Sequence, residues 1–134
     1  MDEIEQLRAV GYCRVAASDH DLDSRFTEQT SRIDRFMFMA DLEFVDCYHE
    51  VGKAGETLEE AYQFCKHWND ISYLVVTDFS RISRDAEELK TWVARFEELG
   101  IEVIEGTHQT LHDVFDDTPD EAKRSLPEKS VGKE

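Results

Sequence analysis

Several ingredients are scarce in this sequence, and each scarcity excludes a class. There are three cysteines, Cys13, Cys47 and Cys65, an odd number with no CxxC spacing. That argues against a disulfide scaffold and against a zinc ribbon. Cys13 and Cys47 fall in strand-like segments and read as small buried hydrophobes. No apolar run approaches the ~18 residues of a membrane span. The opening "MDEIEQLRAV" has neither a basic leader nor a long apolar stretch, so it does not read as a secretory signal, and a cytoplasmic location is expected. Only two prolines occur, both after residue 115. No glycine-rich phosphate loop follows the first strand-like segment, where "AASDHDLDS" is acidic and glycine-free.

What abounds is negative charge. Asp and Glu number 31 against 15 Lys and Arg, a formal net charge of −16. Such a surface repels a phosphate backbone, so a free-standing DNA-binding module is not expected. Dense carboxylates with few lysines are a halophilic signature, suited to a high-salt cytoplasm. The other reading of the charge is an acidic protein that mimics or displaces nucleic acid.

The hydrophobic periodicity predicts alternating strands and helices. Residues 10–16 read as a short strand. Apolar positions at Phe26, Ile33, Phe36, Met37 and Ala40 predict a helix from about Ser24 to Ala40. "EFVDCYHE" predicts a second strand, with Phe44, Asp46 and Tyr48 alternating against Val45 and Cys47. Thr57 and Glu60 form a capping-box pattern that starts a helix with Leu58, Ala61, Tyr62, Cys65 and Trp68 on its apolar face. "ISYLVV" at 71–76 suits a strand buried on both faces. A third helix is expected to start near Ser83 and end before Gly100, a C′ glycine, with "IEVIE" as a fourth strand. The fold class is therefore α/β: three layers, with a mainly parallel four- to five-stranded sheet and helices on both faces. Residues 1–115 are expected to form one domain, with one or two helical turns at 107–115. Residues 116–134 read as a disordered acidic and polar tail.

Ligands of open α/β sheets bind at the carboxyl ends of the strands. The segment "TDFSRISRD", residues 77–85, puts Arg81 and Arg84 three apart near a predicted helix start, against the macrodipole. Arg14 joins them if the first and third strands pair. Three guanidiniums on one rim make a phosphate or carboxylate site; the competing reading is that they only answer nearby carboxylates. No metal site and no cofactor are expected. His108 and His112, four apart, read as solvated surface.

These motifs resemble the catalytic domain of serine recombinases, the resolvase and invertase group. "GYCRVAAS" is similar to that family's tyrosine–any–arginine–valine–serine opening, and "LVVTDFSRISRD" to its strand ending in aspartate–arginine–leucine–any–arginine. "VGKAGETLEEAYQF" and "ELGIEVIE" resemble its serine–glycine loop and last strand. The likeness runs from about residue 10 to 106. It implies a DNA-recombining domain in which a serine attacks a phosphodiester while arginines stabilise the phosphate charge. Arg14, Arg81 and Arg84 match family arginines, and Gln29 matches a polar residue on the first helix. Ser80 stands where the family has an aspartate, Ala54 in place of the serine of the serine–glycine pair, and Glu59 or Glu60 near a family arginine.

The nucleophile position falls on Ala16, which has no atom to attack phosphorus. The expected function is a catalytically inactive recombinase-like binding or regulatory protein. It would meet DNA through a partner recombinase and form homo- or hetero-oligomers, away from membranes. An active domain using Ser18, with a partner supplying DNA binding, is the alternative enzyme reading. A receiver-like or nucleotide-binding module built on Asp78 is the second alternative.

Overall fold

The computed structural model describes residues 6–106. In chain order these form β1 (Leu7–Val15), α1 (Leu22–Met39), β2 (Leu42–Val51), α2 (Glu56–Trp68) and β3 (Tyr73–Val76). A 3₁₀ turn (Phe79–Arg81), α3 (Ala86–Glu98) and β4 (Glu102–Glu105) follow. All strand pairs are parallel, in the order β2-β1-β3-β4. The expected helical turns at 107–115, the tail from Asp116, and His108 and His112 lie outside the described residues. Among the described residues no helix is long and apolar enough to cross a membrane.

Alternation along the central strands builds the three layers. Val10, Tyr12, Leu74 and Val76 point to one face, where Leu58 and Cys65 of α2 and Phe96 of α3 pack. Ala9, Cys13 and Val75 point to the other, under Ile33 and Met37 of α1. Each fully buried large aliphatic contributes roughly 1.5–3 kcal/mol. Gly11 is required here: a Cβ would lie 3.0 Å from both the Cys47 sulfur and Ile33 Cγ2. Its absence lets α1 sit close over β1.

Four details depart from the periodicity reading. First, β2 carries a bulge: Ala9 pairs with Phe44 but Val10 with Asp46. Strict alternation therefore breaks. Val45 and Tyr48 face α2 and α3, while Phe44 and Cys47 face α1. Second, β3 starts at Tyr73, not at Ile71. Third, Trp68 at the end of α2 is 56% exposed instead of completing the apolar face.

Fourth, the capping box does not form. Helix α2 begins at Glu56 after Gly55, with no side-chain cap from its own first turn. A carboxylate from β2 takes that place. Glu50, only 7% exposed, accepts hydrogen bonds from the backbone N–H of Gly55 (3.0 Å), Thr57 (3.0 Å) and Leu58 (3.2 Å), and from the Tyr12 hydroxyl (2.6 Å). A negative charge against unpaired N–H groups at a helix start satisfies both the donors and the dipole. Burial alone would raise the Glu50 carboxyl; the hydrogen bonds from Tyr12, Thr57, Gly55 and Leu58 outweigh it and hold it below its ordinary value of 4.5.

Candidate phosphate-binding site

Strand β3 pairs with β1 only at Ala9, Val10 and Gly11. Beyond that pairing the main chain of β1 needs other partners. Gln29 of α1, 7% exposed, supplies them at Arg14: its Oε1 accepts from the Arg14 N–H (3.1 Å) and its Nε2 donates to the Arg14 carbonyl (3.0 Å). The amide thus substitutes for a missing strand neighbour. Arg81 Nη1 also donates to that carbonyl (3.2 Å).

The Arg14 side chain returns the arrangement. Nε donates to the Arg81 carbonyl (2.6 Å), Nη2 to the Ser80 carbonyl (2.9 Å) and Nη1 to the Gly52 carbonyl (2.9 Å). Gly52 adopts φ +94°, a backbone that favours glycine, and donates its own N–H to Val15 (2.8 Å). One guanidinium therefore ties together the ends of β1 and β2 and the loop after β3. With three of its five donors on main-chain carbonyls, Arg14 positions the site more than it faces it. Arg14→Lys keeps the charge but not the fork. It is expected to destabilise the protein by about 1.5–3 kcal/mol in urea unfolding.

Around this clamp, Val15, Asp19, Arg25, Glu28, Gln29, Arg32 and Arg81 line a cleft of about 210 Å³. Three guanidiniums face two carboxylates there, a cationic wall on a chain of charge −16. Arg32 bonds Glu28 at 3.1 Å, and Arg25 approaches the same carboxylate at 3.9 Å. Arg81 reaches Thr77 Oγ1 (3.4 Å) and Asp78 (3.7 Å) and remains one-third exposed. No sequence motif marks Arg25 or Arg32. Their signal was spacing: residues 25, 28, 29 and 32 follow one face of a helix.

The other expected site residues separate. Arg84 does not lie in a first helical turn: α3 starts at Ala86, with Asp85 as its N-cap accepting from Glu87 (2.8 Å) and Glu88 (3.3 Å). Arg84 is exposed in the turn before that cap and does not line the cleft. Arg84 therefore stands outside the helix, one residue before the carboxylate that caps it. Asp78 caps the 3₁₀ turn, accepting from the Ser80 N–H (3.0 Å) and hydroxyl. Ala16 follows β1 directly and is exposed. Its carbonyl accepts from the Asp19 N–H (3.1 Å), closing a turn with Ser18 exposed near its tip. Ser18 is not among the cleft residues; Asp19 is.

On the far side, Ala54 packs near Trp92 of α3, and Lys53 approaches Glu88 (3.6 Å). Glu59 pairs both oxygens with Arg95 (2.8 and 3.0 Å), whose guanidinium lies over Tyr62 and Trp92. The Arg95 hydrogen bonds hold the Glu59 carboxyl down at about 2.

The chain thus carries a guanidinium-lined cleft at the carboxyl end of β1, in a wholly parallel α/β sheet. The family model described as "Resolvase, N terminal domain" matches residues 9–126, and the chain belongs to that family. No curated protein matches the sequence. Among solved structures, the fold is similar to the C-terminal catalytic domain of ISC1926 TnpA, an IS607-like serine recombinase (TM-score 0.65, 16% identity, 82% of this chain and 77% of that one). It is equally similar to a resolvase family site-specific recombinase from Streptococcus pneumoniae (TM-score 0.65, 23% identity, 75% and 72% covered). The N-terminal catalytic domain of TP901-1 integrase also matches (TM-score 0.59, 19% identity, 73% and 75% covered).

Proposed function

We propose that this chain is a serine-recombinase-type catalytic domain that holds a phosphodiester without cutting it, and that it acts as a regulatory partner of an active recombinase. One observation carries the reading. Strand β1, which brings Val15 to the arginine cleft, is followed directly by Ala16, where the family resemblance puts the attacking serine. A methyl group offers no lone pair to phosphorus, so charge stabilisation by Arg25, Arg32 and Arg81 has no attack to assist. Ser18 stands two residues past that position, in the turn closed by the Asp19 N–H on the Ala16 carbonyl, which disfavours it as a substitute. A phospho-accepting role for Asp78 is likewise disfavoured, because its carboxylate is occupied as the cap of the 3₁₀ turn.

The net charge of −16 argues that DNA reaches this cleft in the grip of a basic partner, not by capture from solution. The test pairs two measurements on the full chain. A short dinucleotide phosphodiester should shift the arginine side-chain resonances of the cleft, and supercoiled plasmid should remain uncut. Nicking or relaxation of the plasmid, or resonances that do not move, would overturn the reading.

The charge also sets a salt dependence. Screening relieves self-repulsion among 31 carboxylates, so the melting temperature is expected to rise steadily from low to molar potassium chloride. An unchanged or falling melting temperature over that range would contradict adaptation of this surface to high salt.

A further inference from the structure

A second cluster of reactive side chains lies on the α1 face of the sheet. The bulge in β2 turns Cys47 toward Cys13 of β1, and the two sulfurs are 3.6 Å apart. Thr30 Oγ1 of α1 stands 3.6 Å from the Cys13 sulfur, 3.9 Å from the Cys47 sulfur and 2.9 Å from His49 Nε2. The ligand atoms of Cys13, Cys47 and His49 all lie within 4.8 Å of one another. Cys13 is buried, Cys47 half-buried and His49 exposed.

We propose that Cys13, Cys47 and His49 form a binding site for a thiophilic divalent ion, Zn(II), with Thr30 Oγ1 at the fourth vertex. Two thiolates bound to tetrahedral zinc at ~2.3 Å have their sulfurs about 3.8 Å apart. The observed 3.6 Å is already close to that edge and far from a disulfide, whose sulfurs are ~2.05 Å apart. The S₂N donor set suits zinc better than magnesium or calcium, which prefer oxygen. The imidazole is held in place by Phe26, stacked on it at 4.5 Å with the planes 6° apart. A surface hollow lined by Thr27, Thr30, Ser31, Asp34, Phe44 and His49 leads from solvent to the imidazole, an entry path for the ion. Binding displaces two thiol protons to solvent and leaves the histidine neutral. Chain spacing conceals such a site, because its sulfurs come from two strands that meet only through the sheet and its bulge.

The test uses the reduced full chain and Co(II) as a spectroscopic substitute for zinc. One equivalent should produce a thiolate-to-metal charge-transfer band and the strong visible bands of a tetrahedral ion. Equimolar Zn(II) should bleach both and raise the melting temperature. His49→Ala, at an exposed position, should retain the fold and weaken binding by about tenfold or more. Cys47→Ser should remove one thiolate's worth of charge-transfer intensity. Cys65→Ser and a His108→Ala/His112→Ala double variant should bind as the parent does. The proposal is overturned by any of three results: no charge-transfer band at one equivalent, unaltered binding in both His49→Ala and Cys47→Ser, or abolished binding in the double histidine variant. None of these results bears on the arginine cleft, which lies at the end of β1.

Discussion

Glu50→Ala is expected to lower the unfolding free energy by about 3–5 kcal/mol, with an unchanged urea m-value, because it strips buried donors of their acceptor. Three main-chain N–H groups and the Tyr12 hydroxyl converge on this one carboxylate, and Tyr12 is fully buried. No single replacement partner can serve four donors coming from β1, the loop and α2. Glu50→Gln keeps Oε1, which accepts from Tyr12, Gly55 and Leu58, but turns an amide NH₂ toward the Thr57 N–H. It should cost about half as much, since one bond and the charge are lost while three bonds remain. The pH dependence has a definite sign. The folded carboxyl titrates below its ordinary 4.5, so its contribution is complete above that value and is lost as the pH falls through the depressed one. The parent should therefore lose stability below about pH 4.5 more steeply than Glu50→Gln. Equal stability of Glu50→Ala and the parent would mean that the α2 start is held by other contacts.

In the cleft, Arg81→Ala is expected to weaken dinucleotide binding by about tenfold, the value of one charge-assisted hydrogen bond to phosphate. Removing Arg25, Arg32 and Arg81 together should abolish it. Glu28→Gln should act in the opposite direction. Glu28 draws on both Arg32 and Arg25, and neutralising it frees two guanidiniums for the ligand. This contrast of sign separates a phosphate site from a set of structural ion pairs. Were the arginines there only to answer Glu28, Glu28→Gln would lower stability and leave binding unchanged. Arg84→Ala, outside the cleft, should bind as the parent does. Titration followed by arginine side-chain resonances gives all of these on one scale.

The layers and the order of elements were legible because apolar positions recur at strand and helix periods wherever one face is buried. The site was legible in part. Arg14, Gln29 and Arg81 were expected at one strand end, and the structure brings them into a reciprocal set of hydrogen bonds. Their division of labour was not legible, because which carbonyls a guanidinium reaches depends on where β3 stops pairing. Thr57 and Glu60 gave a local capping pattern, but the buried Glu50 carboxylate takes the Thr57 N–H together with those of Gly55 and Leu58. Arg84 was misplaced for a related reason. Asp85, with two N–H groups to accept, is the better cap, and it moves the helix start past both arginines. Arg25 and Arg32 were not legible, because charged residues on an amphipathic helix read as solvated until a wall faces them. Cys47 joined Cys13 through a bulge that no alternation pattern announces.

We propose that a recombinase-type site persists here without its nucleophile. This is tested most directly by incubating the full chain with supercoiled DNA, alone and with an active serine recombinase, then denaturing the mixture and searching this chain's peptides for a phosphoserine-linked nucleotide. No adduct is expected on any serine of this chain, with the active recombinase carrying the adducts that form. A nucleotide attached to Ser18, or to any other serine here, would contradict it and make this domain a strand-cleaving enzyme.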